Sequence, residues 1–303
     1  MNILLTGANG YIGKTLLPYL LNSGHIVYCC LRKGSKLEFT SSKLSNNIKI
    51  LRVDFLDSSS LVNIPKEIDV AYYLIHSMSS GKGDFMELER ECALNFRDAI
   101  EATSAKQIIY LSGIVNDSIL SKHLQSRKNV ENILGGGTIP LTTLRAGIIV
   151  GNGSASFQII QDLVKKLPIM ITPKWVNTKT QPIALENVIQ LLSGVIGMQW
   201  SFGVSYDIAG PDILTYKQML LEFAKITGRK RYILTVPVMT PRLSSYWLYF
   251  VTSTSYFLAQ NLVDSMKVEV LAKDSLLAQK LNIALLDYKE AILQAISIEY
   301  NKQ

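Results

Sequence analysis

The chain has 303 residues, 48% apolar and 18% charged, with 31 Lys/Arg against 24 Asp/Glu and a formal net charge of +7. That length carries a buried core in one large or two modest domains, the apolarity excludes a disordered chain, and 19 Gly with 9 Pro exclude collagen-like and low-complexity classes. The positive excess is spread along the chain, with no basic run longer than Arg229–Lys230–Arg231, so it supports a mild pull on anionic small molecules and no nucleic-acid footprint.

The first half alternates short apolar runs with stretches of helical period. Asn2–Gly7 enters a Gly-rich turn without a basic leader region, so no secretory signal is expected. Tyr11–Asn22 reads as a helix with Ile12, Leu16 and Leu20 on one face and Pro18 as an interior kink or strain. His25–Arg32, Ile48–Asp54, Val70–His76, Gln107–Gly113 and Leu141–Gly151 read as strands. Their near-continuous apolarity predicts a parallel sheet covered on both faces. Helices are expected near 84–103 and 121–134. Strand–helix alternation of this kind predicts a doubly wound α/β domain over residues 1–151.

Residues 152–303 read as a smaller, substrate-side region. Helices are expected at 154–167, 186–198 and 216–227, a loop at 168–182, and strands at 204–209 and 232–238. The strand at 204–209 is expected to return to the first domain's sheet. Leu243–Val263 carries no charge and is long enough to cross a bilayer, but its hydroxyls and amides lower its transfer gain. A soluble aromatic segment is the favoured reading; peripheral membrane contact through Trp247, Tyr249 and Phe250 is the alternative.

Cys29, Cys30 and Cys92 make no disulfide framework, and buried free thiols in a reducing compartment are expected. His25, His76 and His123 have no ligand spacing, so no metal is expected.

The strongest motif is Thr6-Gly7-Ala8-Asn9-Gly10-Tyr11-Ile12-Gly13, between the first strand and its helix. Gly7 permits the tight turn, Gly10 lets backbone approach a pyrophosphate, and Gly13 lets the helix pack close on the sheet. Free N–H groups and the positive end of the helix then face the phosphates. The end of the second strand offers Arg32-Lys33 where an NAD site would place a carboxylate. Two cations suit a 2′-phosphate, so NADP(H) is expected over NAD(H); two solvated surface cations are the competing reading. Asp54-Phe55 would meet the adenine, or Asp54 would cap the segment after it. Ile75, His76 and Ser77 follow the fourth strand and would neighbour the cofactor ribose, or His76 would be a satisfied loop histidine.

With these residues the chain resembles the short-chain dehydrogenase/reductase superfamily, in its extended and atypical branches. Tyr73-Leu74-Ile75-His76-Ser77-Met78, Leu111-Ser112-Gly113, Ser121–Glu131 and Leu144-Arg145-Ala146-Gly147-Ile148-Ile149-Val150-Gly151 are similar to the NmrA-like bacterial NAD(P)H-binding proteins, and Lys174-Trp175-Val176-Asn177-Thr178 and Pro237–Trp247 strengthen the likeness. The resemblance implies a Rossmann domain, a smaller C-terminal substrate region and a preference for NADP. It also implies a Ser, a Tyr and a Lys four residues later in members that reduce carbonyls. Aligned on the family's later Glu (Glu131), the Ser position is Ser112, the Tyr position His123 and the Lys position Arg127.

His123 and Arg127 are one helical turn apart and share a face. His123 titrates near neutrality and can serve as general acid; Arg127 cannot give up a proton but can hold a phosphate or hydroxyl. Alternatively both only bind cofactor or substrate. Arg145 would anchor substrate or pair with a carboxylate. Trp175, Gln181, Trp247 and Tyr249 would line a substrate cleft, or as aromatics pack in the core. The expected protein is a cytoplasmic oxidoreductase using NADPH on a small, apolar carbonyl, enone or quinone-like molecule. The rival is a non-catalytic NADP(H)-binding redox sensor or assembly factor. Nucleic-acid and membrane contacts are not expected, and oligomeric state stays open.

Overall fold

The structure is a computed structural model describing residues 1–37, 46–76, 85–115, 122–236, 263–264 and 266–300, with side chains for all of these but 122, 123 and 298–300. It divides into two compact units. One comprises Met1–Ser112, Ser126–Arg145 and Ile189–Tyr206; the other comprises Gly113–Gln125, Ala146–Val188 and Asp207–Gln303.

The first unit is built on a seven-stranded sheet of β1 (Asn2–Leu5), β2 (Ile26–Leu31), β3 (Ile48–Arg52), β4 (Val70–Tyr73), β5 (Gln107–Gly113), β6 (Leu141–Ala146) and β11 (Ser205–Ile208), in the order β11-β6-β5-β4-β1-β2-β3. The pairs β1–β2, β1–β4, β2–β3 and β4–β5 are parallel. Strand order reverses between β1 and β4, and in open α/β sheets ligands sit at the carboxyl ends of strands flanking such a switch. Every residue of β4 is buried, as a central parallel strand requires. The expectation of two covered faces fails for β3: it is the sheet edge, and Ile50 is half exposed.

Helix α1 (Tyr11–Asn22) runs on through Pro18 as one element. Helix α2 (Phe85–Glu101) buries Phe85, Cys92, Ala93, Phe96 and Ile100. Phe96 meets Tyr73 at 4.9 Å and Phe55 at 5.4 Å between ring centroids, and Tyr73 meets Tyr110 at 5.7 Å. Truncating a fully buried ring such as Phe96 costs about 3–5 kcal/mol. Helix α3 (Lys122–Gly135) adds Val130 and Leu134 to this core. The buried Gln107 amide holds the returning segment: Nε2 donates to Thr142 Oγ1 and Val195 O, and Oε1 accepts from Gly197 N.

The second unit packs α4 (Ala155–Lys166), α6 (Tyr216–Ile226) and α8 (Tyr288–Tyr300) around Phe157, Leu163, Met219, Phe223 and Ile292. Ser154 caps α4, and Thr215 with Gln218 forms a reciprocal capping box on α6. The short helices α5 (Leu185–Gly194) and α7 (Leu276–Lys280) complete the α-helical elements among the described residues.

Two expectations change here. The run 141–151 is not one strand: β6 stops at Ala146, and β7 (Ile149–Val150) pairs with β10 (Ile183–Ala184). Gly147 makes the break, where a side chain would stand 3.2 Å from Gln181 O. The loop expected at 168–182 contains strand β8 (Ile169–Pro173), a 3-10 turn (Lys174–Asn177) and β9 (Lys179–Thr180). Ile169 and Ile171 alternate with buried Met170 and Thr172, a period of two that the flanking prolines obscure. β8 pairs in parallel with β13 (Tyr232–Val236), and β9 pairs antiparallel with β12 (Leu214–Thr215). Among the described residues no helix is long and apolar enough to cross a membrane; residues 243–262 of the uncharged run lie outside them.

Candidate functional site

The glycine turn is shaped by close backbone approach. Gly7 has φ +61°, and a Cβ there would stand 2.6 Å from Leu74 O. Gly10 N donates to Gly7 O at 2.8 Å, closing the turn, and Lys14 N returns to Gly10 O at 2.9 Å. A Cβ on Gly13 would fall on Gly7 O and lie 2.8 Å from Ala8 Cα. Gly13 therefore lets α1 pack on the turn itself, where close packing on the sheet was expected. Gly10 is the N-cap of α1 without a side-chain cap, and the first turn holds no acid. The amides there are left for an exogenous anion. Thr6 Oγ1 donates to Tyr72 O and accepts from Leu74 N, both 2.9 Å, so it locks β1 to β4 at the switch point. Asn9 is exposed, and Tyr11 and Ile12 are half-buried. Burial raises the Tyr11 phenol. A Gly-lined cradle, its uncapped helix start and the absence of a competing acid fit a dinucleotide pyrophosphate.

Arg32 and Lys33 follow β2 and are exposed. They ride a turn closed by Ser35 N to Arg32 O at 3.0 Å, with Gly34 at φ +83°. Arg52, which pairs with Leu31 at the end of β3, donates through Nη1 to Ser35 O at 2.6 Å and Arg32 O at 3.3 Å. Asp54 Oδ1 accepts from Leu56 N at 3.1 Å, so its carboxyl shapes the following turn. Buried Phe55 presents its carbonyl to Asn95 Nδ2 at 2.7 Å.

The wall opposite is made of side chains from separate elements. His76 Nδ1 lies 2.7 Å from Glu89 Oε1, and Ser126 Oγ donates a short bond to Glu89 Oε2. A carboxylate only accepts, so Nδ1 carries the imidazole proton and Nε2 is the acceptor. Burial, with the Arg127 guanidinium adding to it, pushes His76 down to about 4, against the pull of Glu89. His76 is therefore neutral at pH 7. Arg127 Nη1 donates to Leu111 O at 2.8 Å, next to Ser112, whose side chain is buried beside the Tyr110 phenol. Ile75 is half-buried against the core of this unit. Ser77 and the His123 side chain lie outside the described residues.

Other candidates have structural partners. Arg145 grips Glu131 with two bonds, Nε to Oε2 at 3.1 Å and Nη2 to Oε1, and Ser205 Oγ joins at 3.0 Å. Gln181 Nε2 donates to Gly210 O and Oε1 accepts from Ala272 N, which makes it a brace between loops. Trp175 is buried, edge-on to Tyr216 at 5.9 Å. Trp247 and Tyr249 lie outside the described residues. The three cysteines are free and buried, and burial pushes Cys29 and Cys92 up to about 12, so they stay thiols.

Sequence reasoning missed Glu89, Ser126 and Arg52. Glu89 had a visible signal: it sits on the apolar stripe of α2, one turn after Phe85 and three residues before Cys92. A lone acid there must find a partner inside.

Residues 3–121 match the NAD dependent epimerase/dehydratase family. Among curated proteins, the chain is 28% identical over 163 residues to bifunctional pinoresinol-lariciresinol reductase 2 of Thuja plicata, covering 49% of this chain and 50% of that one. It is 32% identical over 84 residues to phenylcoumaran benzylic ether reductase TP7 of Nicotiana tabacum, covering 26% and 27%. The chain thus spans from about a quarter to about half the length of these relatives. Among solved structures, it is similar to the NADPH-dependent quinone oxidoreductase QOR2 of Escherichia coli complexed with NADPH (TM-score 0.78, 19% identity, 97% of this chain and 99% of that one). It is equally similar in fold to the Citrobacter sp. triphenylmethane reductase complexed with NADP(H) (TM-score 0.77, 16% identity, 97% and 100%). The chain therefore shares the fold of these two solved structures, and its residues 3–121 match the NAD dependent epimerase/dehydratase family.

Proposed function

We propose that this protein is an NADPH-dependent oxidoreductase that reduces a small, apolar carbonyl, enone or quinone-like molecule in the cytoplasm. The observation that carries the reading is the pairing of an uncapped glycine cradle with two exposed cations on a braced turn at the end of β2. The cradle takes the pyrophosphate; Arg32 and Lys33 take the 2′-phosphate. Residues 1–151 hold the cofactor and residues 152–303 the substrate side. The reductases of lignans and quinones among the similar proteins support the substrate class.

The nicotinamide, when bound, supplies the hydride. The chain supplies the rest. Ser112 orients the substrate oxygen, and Arg127, fixed on Leu111 O, holds a hydroxyl or phosphate beside it. Protonated His123 would hold the proton that the substrate oxygen takes up, and would end as a neutral imidazole. Neutral His76 would stand beside the cofactor ribose. A second reading, an NADP(H)-binding sensor or assembly factor without turnover, is favoured by one observation. Arg127 holds the position of the family's Lys, and its guanidinium is committed to the main chain of β5.

The test begins with calorimetric titration of NADPH and NADH into the whole protein, followed by a turnover screen of carbonyls and quinones. NADPH is expected to bind at least ten-fold tighter, and His123→Gln to lower turnover by about 10²–10⁴-fold with cofactor affinity unchanged. Tighter NADH binding overturns the cofactor assignment. Tight NADPH binding without turnover across the screen establishes the sensor.

A further inference from the structure

The two-stranded sheet of β8 and β13 turns one face into the core of the second unit and the other outward. Met170 and Ile233 point in. Ile169, Ile171, Tyr232 and Leu234 point out, and they are 58%, 52%, 64% and 60% exposed. The register sets Tyr232 beside Ile169 and Leu234 beside Ile171, so these side chains form one continuous square. Among the described residues nothing covers it. Exposed single apolar residues are ordinary, but four large ones packed on one sheet face mark an interaction site.

Cations stand at one end of this face. Because the strands are parallel, the segments that lead into them lie at the same end. Lys165 and Lys166 close α4 just ahead of β8, and Arg229, Lys230 and Arg231 stand directly ahead of β13. Arg231 ties the two segments together, donating through Nε to Val164 O at 2.6 Å. Lys165, Lys166, Arg229 and Lys230 are exposed. Asp162, buried on α4, lies 3.5 Å from Lys166 Nζ. Tyr232, the residue nearest the cations, has the apolar ring and polar tip that favour a membrane interface.

We propose that the outer face of β8 and β13, with the cations at its leading end, docks on an anionic lipid surface. The face is apolar and bordered by positive charge, which matches acyl chains beneath anionic headgroups. The proposal is independent of the reaction assigned above.

The test is co-sedimentation of the whole protein with vesicles of phosphatidylcholine alone and of phosphatidylcholine with phosphatidylglycerol. Pelleting with the anionic vesicles only, reversed by raised salt, is expected. Arg229→Gln and Lys230→Gln should each weaken binding about five-fold. Ile171→Ser with Leu234→Ser, both on exposed side chains, should abolish it while circular dichroism and NADPH titration stay as in the parent. No pelleting with anionic vesicles overturns the proposal, and so does equal pelleting with neutral ones. If the Ile171→Ser, Leu234→Ser variant instead converts a dimer to a monomer in light scattering, the face belongs to a second copy and the proposal falls.

Discussion

The glycine turn after β1 and the wall formed by β4, α2 and α3 are built in opposite ways. The turn is made of main chain: at Gly7 and Gly13 other backbone atoms already occupy the space a Cβ would take, and at Gly10 a Cβ would stand 3.1 Å from Gly7 O. Its specificity lies in what is missing from eight consecutive residues. The wall is made of side chains that meet from distant places, His76 from the end of β4, Glu89 from α2 and Ser126 from α3. A site of the first kind tolerates no added atom. A site of the second kind tolerates changes of size but not the loss of a proton or an acceptor.

The largest effect should come from adding one methyl group to the turn. In Gly13→Ala the new Cβ meets Gly7 O and Ala8 Cα, both backbone, so α1 or the turn must shift. Overpacking of this sort costs about 1–3 kcal/mol of stability. NADPH affinity should fall about a hundred-fold, equivalent to about 3 kcal/mol. Thermal unfolding and calorimetric titration measure the two losses separately. Parent-like NADPH affinity in Gly13→Ala would show that the turn does not need its observed shape to bind.

The wall should respond to pH instead. His76 sits at about 4 in the folded protein, below its ordinary 6.5. Above 6.5 both folded and unfolded chains carry it neutral, and its contribution is fully present. As pH falls from 6.5 towards 4 the unfolded chain takes up a proton that the folded one refuses, so stability is lost through that window. With a quarter of the side chain exposed, the loss is about 2 kcal/mol. Denaturation midpoints for the parent and His76→Asn at pH 7 and pH 4.5 should converge as pH drops. Parallel lines would mean that the imidazole titrates normally. At pH 7, Glu89→Ala leaves Nδ1–H and the Ser126 hydroxyl without their acceptor, at a cost of about 2–3 kcal/mol by the same measurement.

The same contrast explains what the sequence could reveal. The α1 boundaries, Tyr11–Asn22, and the β5 boundaries, Gln107–Gly113, are readable because period and flanking glycines are local signals. The glycine turn is readable for the same reason. Strand β8 was hidden by Pro168 and Pro173 at its ends, and the break at Gly147 is set by a carbonyl of Gln181, more than thirty residues away. Arg145 could equally have met substrate or acid until Glu131 and Ser205 were seen around it. Pairings of this kind depend on tertiary proximity, which no window of sequence contains.

The turn carrying Arg32 and Lys33 lies between the two types and gives the smallest, most discriminating test. Its backbone conformation is local, with Gly34 at φ +83°, but a distant side chain braces it: Arg52 spans the carbonyls of Arg32 and Ser35. Arg52 is itself fixed by its place in β3 and by Asn63 Nδ2, which donates to Arg52 O at 3.0 Å. Removing the guanidinium should loosen the turn without touching the glycine cradle. Arg52→Ala is therefore expected to weaken NADPH and 2′,5′-ADP about five- to ten-fold while NADH and 5′-AMP stay unchanged, a difference of about 1–1.4 kcal/mol. Arg52→Lys, with a point charge in place of a fork, should fall between. Because the bonds are solvent-exposed, stability should move by less than about 1 kcal/mol. Equal losses for NADPH and NADH would make Arg52 a general support of the sheet edge. A selective loss would support the proposed 2′-phosphate contacts at Arg32 and Lys33 and add the brace from Arg52 to them.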